Sequence, residues 1–134
     1  MMFVDASAIV AILNGEPEAD SFTEALEQNA GGLTSAIAVF EATLALCRVR
    51  HVTIEEAAAD VYEFMNVAGV RHMPITEAEI RKALAASARH GKGRGHPARL
   101  NMGDCLAYAM ARNLKVPLLF RGDGFPKTDI ESAV

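Results

Sequence analysis

Three carboxylates in this sequence have no basic residue near them along the chain. No Lys or Arg lies within forty residues of Asp5, and none lies three or four positions from Glu41, which sits in the most apolar stretch. Asp104 follows a glycine and precedes the apolar run Cys105–Met110. Because an ion is costly to bury without a partner, each acid needs an explanation that its neighbours in sequence do not supply.

Each acid also has an ordinary structural explanation. Asp5 could cap the helix that follows it, and Asp104 could stabilise the positive end of its own helix. The ordinary explanation is weakest for Glu41, because an acid in the middle of an apolar helix must either reach solvent or pair in space.

Taken together, the three acids indicate one acidic pocket. Carboxylates about 4 Å apart repel by roughly 4 kcal/mol per pair at an effective dielectric constant of roughly 20. A bound divalent cation would remove that repulsion, and oxygen ligands without thiols favour Mg²⁺ or Mn²⁺. The chemistry expected of such a site is the activation of a water molecule for attack on phosphorus.

The elements predicted around Asp5 place it where a ligand would bind. Phe3 and Val4 favour a strand, and Ala6–Leu13 favours a helix. Asp5 would then lie at the carboxyl end of the first strand, where open α/β sheets hold their ligands. Ser7 could either cap this helix or support Asp5.

The rest of the chain alternates between strands and helices. Further strands are expected at Leu33–Thr34, Val70–Ile75, Val116–Phe120 and, as a last edge strand, Thr128–Ile130, with helices from Glu16 and at about 36–50, 54–67, 76–89 and 101–113. Strands separated by helices predict the α/β class, as a three-layer α/β/α sandwich with a mainly parallel sheet. The length of 134 residues fits a single domain spanning residues 1–134.

The composition narrows the class of protein. With 51% hydrophobic and 22% charged residues, the chain has no signature of disorder, and no apolar run is long enough to span a membrane. The N-terminus lacks a basic signal region, so a cytoplasmic protein is expected. Cys47 and Cys105 are expected to be buried thiols in a reducing compartment, and the four histidines show no zinc-ligand spacing.

The net charge of −4 conceals a strong segregation of charge along the chain. Residues 1–47 contain seven acids and no base, whereas residues 80–103 contain six bases and no acid. The basic segment includes a glycine-rich loop, residues 90–97. This segment is either a nucleic-acid footprint or a solvated loop beside the basic end of a helix.

Several segments, taken in order and at their spacing, match one family over essentially the whole chain. They are Val4–Ala8, Glu41 on the third helix, Leu100–Cys105, Pro117–Phe125 and Thr128–Ile130. With these segments the sequence resembles the PIN-domain ribonucleases, and most closely the VapC-type toxins of bacterial toxin–antitoxin pairs. The resemblance implies an endoribonuclease dependent on Mg²⁺ or Mn²⁺ that cleaves structured RNA, often tRNA or rRNA. It also implies a homodimer inhibited by a small antitoxin whose C-terminal segment lies across the toxin.

The resemblance also implies roles for individual residues. Asp5, Glu41 and Asp104 would be the core metal ligands, with Ser7 and Asn101 as supporting groups.

One position departs from the family pattern. Relatives commonly carry an Asp directly before the Phe of the turn after the last strand, where this sequence has Gly124, and Asp123 stands one residue earlier. Either Asp123 serves as the fourth acid through water, or it is an ordinary turn residue and three acids form the site.

The same comparison suggests two contact surfaces. Arg89, Lys92, Arg94 and Arg99 directly precede the Asn101–Asp104 segment, so RNA bound by these bases would be delivered near the metal. The antitoxin contact is expected along the early helices, where the candidate apolar residues are Phe22, Val39, Phe40, Val61 and Phe64. The alternative is that these residues belong to the core.

Two other functions remain open at this point. A Mg²⁺-dependent phosphatase or phosphoacceptor would use Asp5 as the nucleophile, although such sites usually have a second acid two residues later, where this chain has Ser7. A catalytically silent PIN-like scaffold would bind RNA or protein only, and Gly124 is the residue that favours it.

Overall fold

A parallel four-stranded sheet forms the centre of the computed structural model, which describes residues 1–134. Its strands are β1 (Phe3–Val4), β2 (Gly32–Thr34), β3 (Val70–His72) and β4 (Leu118–Leu119), in the spatial order β3-β2-β1-β4. The helices are α1 (Ala6–Leu13), α2 (Ala19–Gln28), α3 (Ala36–Arg50), α4 (Ile54–Ala68), α5 (Glu77–His90) and α6 (Met102–Leu114), followed by a short 3₁₀ helix, Phe125–Lys127.

Helices cover both faces of the sheet because successive strand side chains point in opposite directions. In β1, Val4 joins the core formed with helices α1 to α4, whereas Phe3 joins the core formed with α5 and α6. In β4, Leu119 and Leu118 divide between the two cores in the same way. The predicted three-layer α/β/α sandwich with a parallel sheet is therefore confirmed.

The strand order creates a crevice between β1 and β4. The chain moves outward from β1 to β2 and β3, then returns through α6 to place β4 on the other side of β1. This is a topological switch point, where the loops after two neighbouring strands diverge and leave room for a ligand. Asp5 follows β1 at this point, and Arg121–Asp123 follow β4.

The edge of the sheet differs from the expectation at its last strand. Thr128–Ile130 is a turn, because the Thr128 hydroxyl donates to the Phe125 carbonyl and accepts from the Ile130 amide. Such local side-chain bonds compete with strand pairing. Leu118 instead pairs with Ser132, through backbone hydrogen bonds to Glu131 and Ala133 on either side of it.

Two strands are also shorter than predicted. The run from Val70 pairs only as far as His72, and the run from Val116 pairs only at Leu118–Leu119. Both cysteines are free thiols, with Cys105 buried as expected and Cys47 only half-buried. None of the six helices is both long and apolar enough to cross a lipid bilayer.

Candidate active site

A cleft of about 650 Å³ opens at the switch point between β1 and β4. It is lined by four of the predicted site acids and one predicted supporting residue: Asp5, Glu41, Asp104, Asp123 and Ser7. These residues come from the end of β1, the middle of α3, the start of α6 and the turn after β4. The fold thus brings together acids that lie up to 118 residues apart in sequence.

Asp5 is held at the floor of the cleft by short local bonds. It is 4% exposed and is the N-cap residue of α1. Its Oδ2 accepts from the Ser7 amide at 3.1 Å and from the Ser7 hydroxyl at 2.5 Å, and the Ser7 hydroxyl accepts from the Arg121 amide at 3.0 Å. Ser7 therefore orients Asp5 and links it to the turn after β4.

Glu41 enters the cleft from α3 against the backbone of α6. It is half-buried and has no hydrogen-bonding or ionic partner in the structure. Its carboxyl group packs directly on Gly103, so that a Cβ placed on Gly103 would overlap both carboxyl oxygens. Because Gly103 has no side chain, the Glu41 carboxyl group can occupy the space beside it.

Asp104 is positioned by the first turn of α6. Asn101 caps this helix, since its side-chain oxygen accepts from the Asp104 amide at 2.8 Å and Asp104 Oδ2 accepts from the Asn101 amide at 3.1 Å. Asp104 remains half-buried and has no ionic partner. Asn101 itself does not line the cleft, so its support is limited to holding the helix end and the Asp104 carboxylate.

Burial, with a smaller contribution from mutual repulsion at Asp5 and Glu41, raises the proton affinity of the three acids. Burial, and to a smaller degree the charge of Asp104, raise the pKa of Asp5 to about 6 against the bonds from Ser7. Burial and the charges of Asp5 and Asp104 raise the pKa of Glu41 to about 7, and burial raises the pKa of Asp104. None of the five ion pairs in the structure joins a base to any of these three acids.

The donor chemistry of the cleft fits a hard divalent cation. The acids offer only oxygen donors, and acids outnumber bases in the lining of the cleft, so its net charge is negative. No three acidic, histidine or cysteine side chains are already gathered into a metal cage, so the acids would have to draw closer together around an ion. The fit therefore depends on the oxygen donors and their unneutralised charge.

The turn after β4 places Asp123, and not residue 124, on the cleft. Asp123 is exposed and lines the cleft with no hydrogen bond or ion pair. Gly124 packs against the loop before α6, where an added Cβ would lie 2.9 Å from the Ala98 carbonyl oxygen. A side chain at position 124 would press on that loop, whereas Asp123 has open space.

The predicted RNA-binding residues lie outside the cleft. Arg89 lies in the last turn of α5, and Lys92, Arg94 and Arg99 are exposed on the loop that leads to α6. None of these four bases lines the cleft. Lys92 shares a surface groove with Asn101 and Met102 at the start of α6, whereas Arg89 lies beside Tyr108 and Arg112 further along that helix. The RNA-binding role of the four bases stays a prediction.

Part of the predicted antitoxin surface is wrong. Phe22, Val39 and Val61 are at most 5% exposed and belong to the core beneath α1 to α4, because their helices turn these residues towards the sheet. Phe64 is half-buried, and Phe40 is 64% exposed.

Sequence patterns did not reveal two bases and one acid that line the cleft. Arg48 lies on α3 seven residues after Glu41, Arg121 follows β4, and Glu18 precedes α2. The spacing of seven residues, two helical turns, was a signal that Arg48 shares a face with Glu41. No sequence signal connects Arg121 with Glu18, because only the fold brings them together.

Comparisons with known proteins find one family that matches nearly the whole chain. The family model described as the PIN domain matches residues 2–131. The chain is 39% identical over 133 residues to VapC ribonuclease Mb0625 of Mycobacterium bovis, covering 99% of this chain and 98% of that protein. It is 39% identical over 141 residues to VapC ribonuclease R02377 of Rhizobium meliloti, covering 97% and 99%. It is 40% identical over 133 residues to Ribonuclease VapC42 of Mycobacterium tuberculosis, covering 98% of each.

The fold and the acidic cleft agree with the family match. The chain belongs to the PIN-domain family. Within that family it belongs with the VapC-type proteins, whose members match it from end to end.

Proposed function

We propose that this protein is an endoribonuclease and the toxin of a toxin–antitoxin pair, acting on structured RNA such as tRNA or rRNA in the cytoplasm. The observation that carries the proposal is the group of unneutralised acids Asp5, Glu41 and Asp104 lining one cleft at the switch point of the sheet. The names of its full-length relatives, which are VapC ribonucleases, support the same activity.

Mg²⁺, with Mn²⁺ as a substitute, is the cofactor proposed for this cleft. Asp5, Glu41 and Asp104 would hold it, and Asp123 would contribute negative charge through water. A bound dication supplies an activated water for attack on phosphorus and stabilises the charge that develops.

The protein's own groups prepare that chemistry. The Ser7 hydroxyl and amide fix the Asp5 carboxylate in one orientation, and the Asn101 cap fixes Asp104. Gly103 leaves the space that allows Glu41 to face the other two acids. Water attacks the phosphodiester, the bond from phosphorus to one ribose oxygen breaks, and the proton of the water passes to solvent or to the departing oxygen.

A metal-dependent cleavage assay tests the proposal. Purified protein should cut a labelled RNA in Mg²⁺ or Mn²⁺ and not in EDTA, and Asp5→Asn should abolish the cutting. Asp20→Asn, which changes an exposed acid on α2, is the matched control and should cut normally.

The assay also separates the two other functions. Release of inorganic phosphate from a phosphate ester without RNA cleavage would favour a phosphatase with Asp5 as nucleophile. RNA binding without either reaction would favour a silent scaffold. The open position of Asp123 on the cleft argues against loss of the site through Gly124.

The basic loop is proposed as an outer RNA contact. Lys92 and Arg94 are exposed on the loop that leads into α6, close to the helix that carries Asp104. Changing both to Ala should weaken RNA binding and flatten its salt dependence. An unchanged salt slope would remove the loop from the RNA-binding surface.

The partners proposed are an antitoxin and a second copy of the chain. An apolar groove of about 770 Å³ runs between α1, α2 and α4, and its lining includes Ile12, Leu13, Leu26, Phe64 and Val67. Val67 is 81% exposed there, which favours this groove for the antitoxin segment. Leu84 and Met102, which are 66% and 72% exposed on α5 and α6, favour a separate face for the homodimer.

A further inference from the structure

The bases nearest to the acids are not those of the glycine-rich loop. Of the 13 Lys and Arg residues, only Arg48 and Arg121 line the acidic cleft. They approach from different elements, Arg48 from the last part of α3 and Arg121 from the turn after β4. Two bases from separate elements therefore share the cleft with the acids.

Arg48 is placed by the geometry of α3. It stands two turns after Glu41 on the same helix face, which corresponds to about 10 Å along the axis. Ala45, one turn after Glu41, also lines the cleft, so the helix presents a continuous edge from Glu41 to Arg48. The Arg48 side chain is exposed and has no hydrogen bond or ion pair, so its donors are free for a ligand.

The Arg121 guanidinium contacts two acids but keeps donors free for a further ligand. Its Nε donates to Glu18 Oε2 at 2.6 Å, and its Nη2 lies 3.7 Å from Glu16 Oε2. A guanidinium has five N–H donors, so most of them remain available. The side chain is 47% exposed, and its orientation is fixed by an acid that also lines the cleft.

The charge balance of the cleft indicates a role for these two bases in binding an anionic ligand. Five acids line it, namely Asp5, Glu18, Glu41, Asp104 and Asp123, against only two bases. A polyanion would be repelled from such a cleft unless cations met its phosphates at the edges. Arg is the side chain best suited to that contact, because its planar fork binds phosphate in a bidentate manner.

We propose that Arg48 and Arg121 are positioning residues that bind RNA phosphates next to the one that is cleaved. Glu18 holds the Arg121 guanidinium in place until RNA arrives and then competes with phosphate for it. This inference rests on the proposed ribonuclease function and identifies the groups that orient the strand across the acids. The bases of the glycine-rich loop would contact more distant parts of the RNA.

The test measures RNA binding without cleavage. The parent is the full-length Asp104→Asn protein in Mg²⁺, and the probe is fluorescently labelled tRNA followed by anisotropy at several salt concentrations. Arg48→Ala and Arg121→Ala should each weaken binding and reduce the log–log salt slope by about 0.7–0.9, the value expected for one phosphate contact. The double variant should lose about twice that slope, whereas Arg48→Lys and Arg121→Lys should keep the slope.

Two further variants separate phosphate binding from a structural role. Arg81→Ala, which removes an exposed base of α5 outside the cleft, is the matched control and should bind like the parent. Glu18→Gln should bind RNA more tightly, because it removes a competing charge. If Arg121 only stabilised the local structure by pairing with Glu18, Glu18→Gln would weaken RNA binding in the same way as Arg121→Ala.

The outcomes distinguish this inference from the proposed function. RNA binding by the parent with an unchanged slope in the double variant would overturn the assignment of Arg48 and Arg121 and leave the ribonuclease proposal standing. Weakened binding in Glu18→Gln would also overturn it. A native protein that neither binds nor cuts RNA would overturn both.

Discussion

A carboxylate that is 4% exposed and has no cationic partner is costly, and Asp5 is such a residue. The bonds from Ser7 offset only part of the burial cost, so the pKa of Asp5 stays raised, at about 6. Glu41 has no hydrogen bond to offset its burial, and burial together with the charges of Asp5 and Asp104 raises its pKa to about 7. A bound cation would relieve both, because it stabilises the charged form of each carboxyl group.

The contact between Gly103 and Glu41 yields a prediction at the scale of one methyl group. Gly103→Ala would place a Cβ on the Glu41 carboxyl group, and the flexible end of that side chain would have to move away. We expect metal affinity, measured by isothermal titration with Mn²⁺, to fall about 10–100-fold, the range found when groups that orient a metal site are lost. The free energy of unfolding should stay within about 1 kcal/mol of the parent, since Ala is the better helix former.

A double-mutant cycle provides the control. In a Glu41→Ala background the clash is gone, so Gly103→Ala should stabilise the protein by up to about 1 kcal/mol. Mn²⁺ affinity that is unaffected by Gly103→Ala would mean that Glu41 does not reach the metal.

At the scale of elements, the start of α6 matters most for the site. Asn101 closes the first turn by bonding the Asp104 amide, and the same turn presents the Asp104 carboxylate to the cleft. Its neighbour α3 contributes Glu41, and the closeness of the two helices at Gly103 sets how near the acids come. Both helices are fixed by tertiary packing on the sheet, since isolated helices of this length are marginal.

Removing the α6 cap should therefore affect stability and activity together. Asn101→Ala should lower the free energy of unfolding by about 1 kcal/mol, and RNA cleavage should fall about 10-fold or more as Asp104 loses its fixed position. Urea denaturation and an initial-rate cleavage assay would measure the two effects.

The N-cap of α4 offers a matched comparison. The Thr53 hydroxyl accepts from the Glu56 amide in the same way, but Thr53 does not line the cleft. Thr53→Ala should cost a similar free energy and leave cleavage unchanged. Equal losses of cleavage in the two variants would show that Asn101 acts only through overall stability.

At the scale of the whole molecule, the acidic cleft links stability to pH and to metal. Folding raises the pKa of Asp5 and Glu41, so the folded protein binds more protons than the unfolded chain between their ordinary values and about 7. The stability that protonation provides is present at pH 4 and is lost as the pH rises through this window. Glu79 and Asp129, whose pKa values are lowered by their hydrogen bonds, act in the opposite direction.

The metal-free protein should show this linkage as a difference between variants. Between about pH 4 and pH 7, the native protein should lose about 1–3 kcal/mol of unfolding free energy relative to Asp5→Asn, since one pKa unit corresponds to about 1.4 kcal/mol. Urea denaturation in EDTA at both pH values measures it, and Asp20→Asn should follow the native profile. Mn²⁺ at about 100 times its Kd should restore about 2.7 kcal/mol at neutral pH in the native protein. Parallel profiles for the native and Asp5→Asn proteins would contradict the linkage.

The sequence by itself determined the layers of this protein and most of the acids of its cleft. Apolar runs and caps are local signals, so the strands at Phe3 and Leu118 and all six helices could be placed from neighbouring residues alone. Asp5, Glu41 and Asp104 stood out for the same local reason, because no base lay near enough along the chain to neutralise them. The turn at Thr128 was mistaken for a strand because its hydroxyl bonds, and not its β-preference, decide its conformation.

Only the tertiary structure decided which residues face the acids and which are buried. Phe22, Val39 and Val61 could have formed an interaction surface until packing turned them into the core. Arg121 meets Glu18 across 103 residues, and Gly103 meets Glu41 across two helices. Such contacts depend on how the strands are ordered in the sheet, and local sequence patterns do not specify that order.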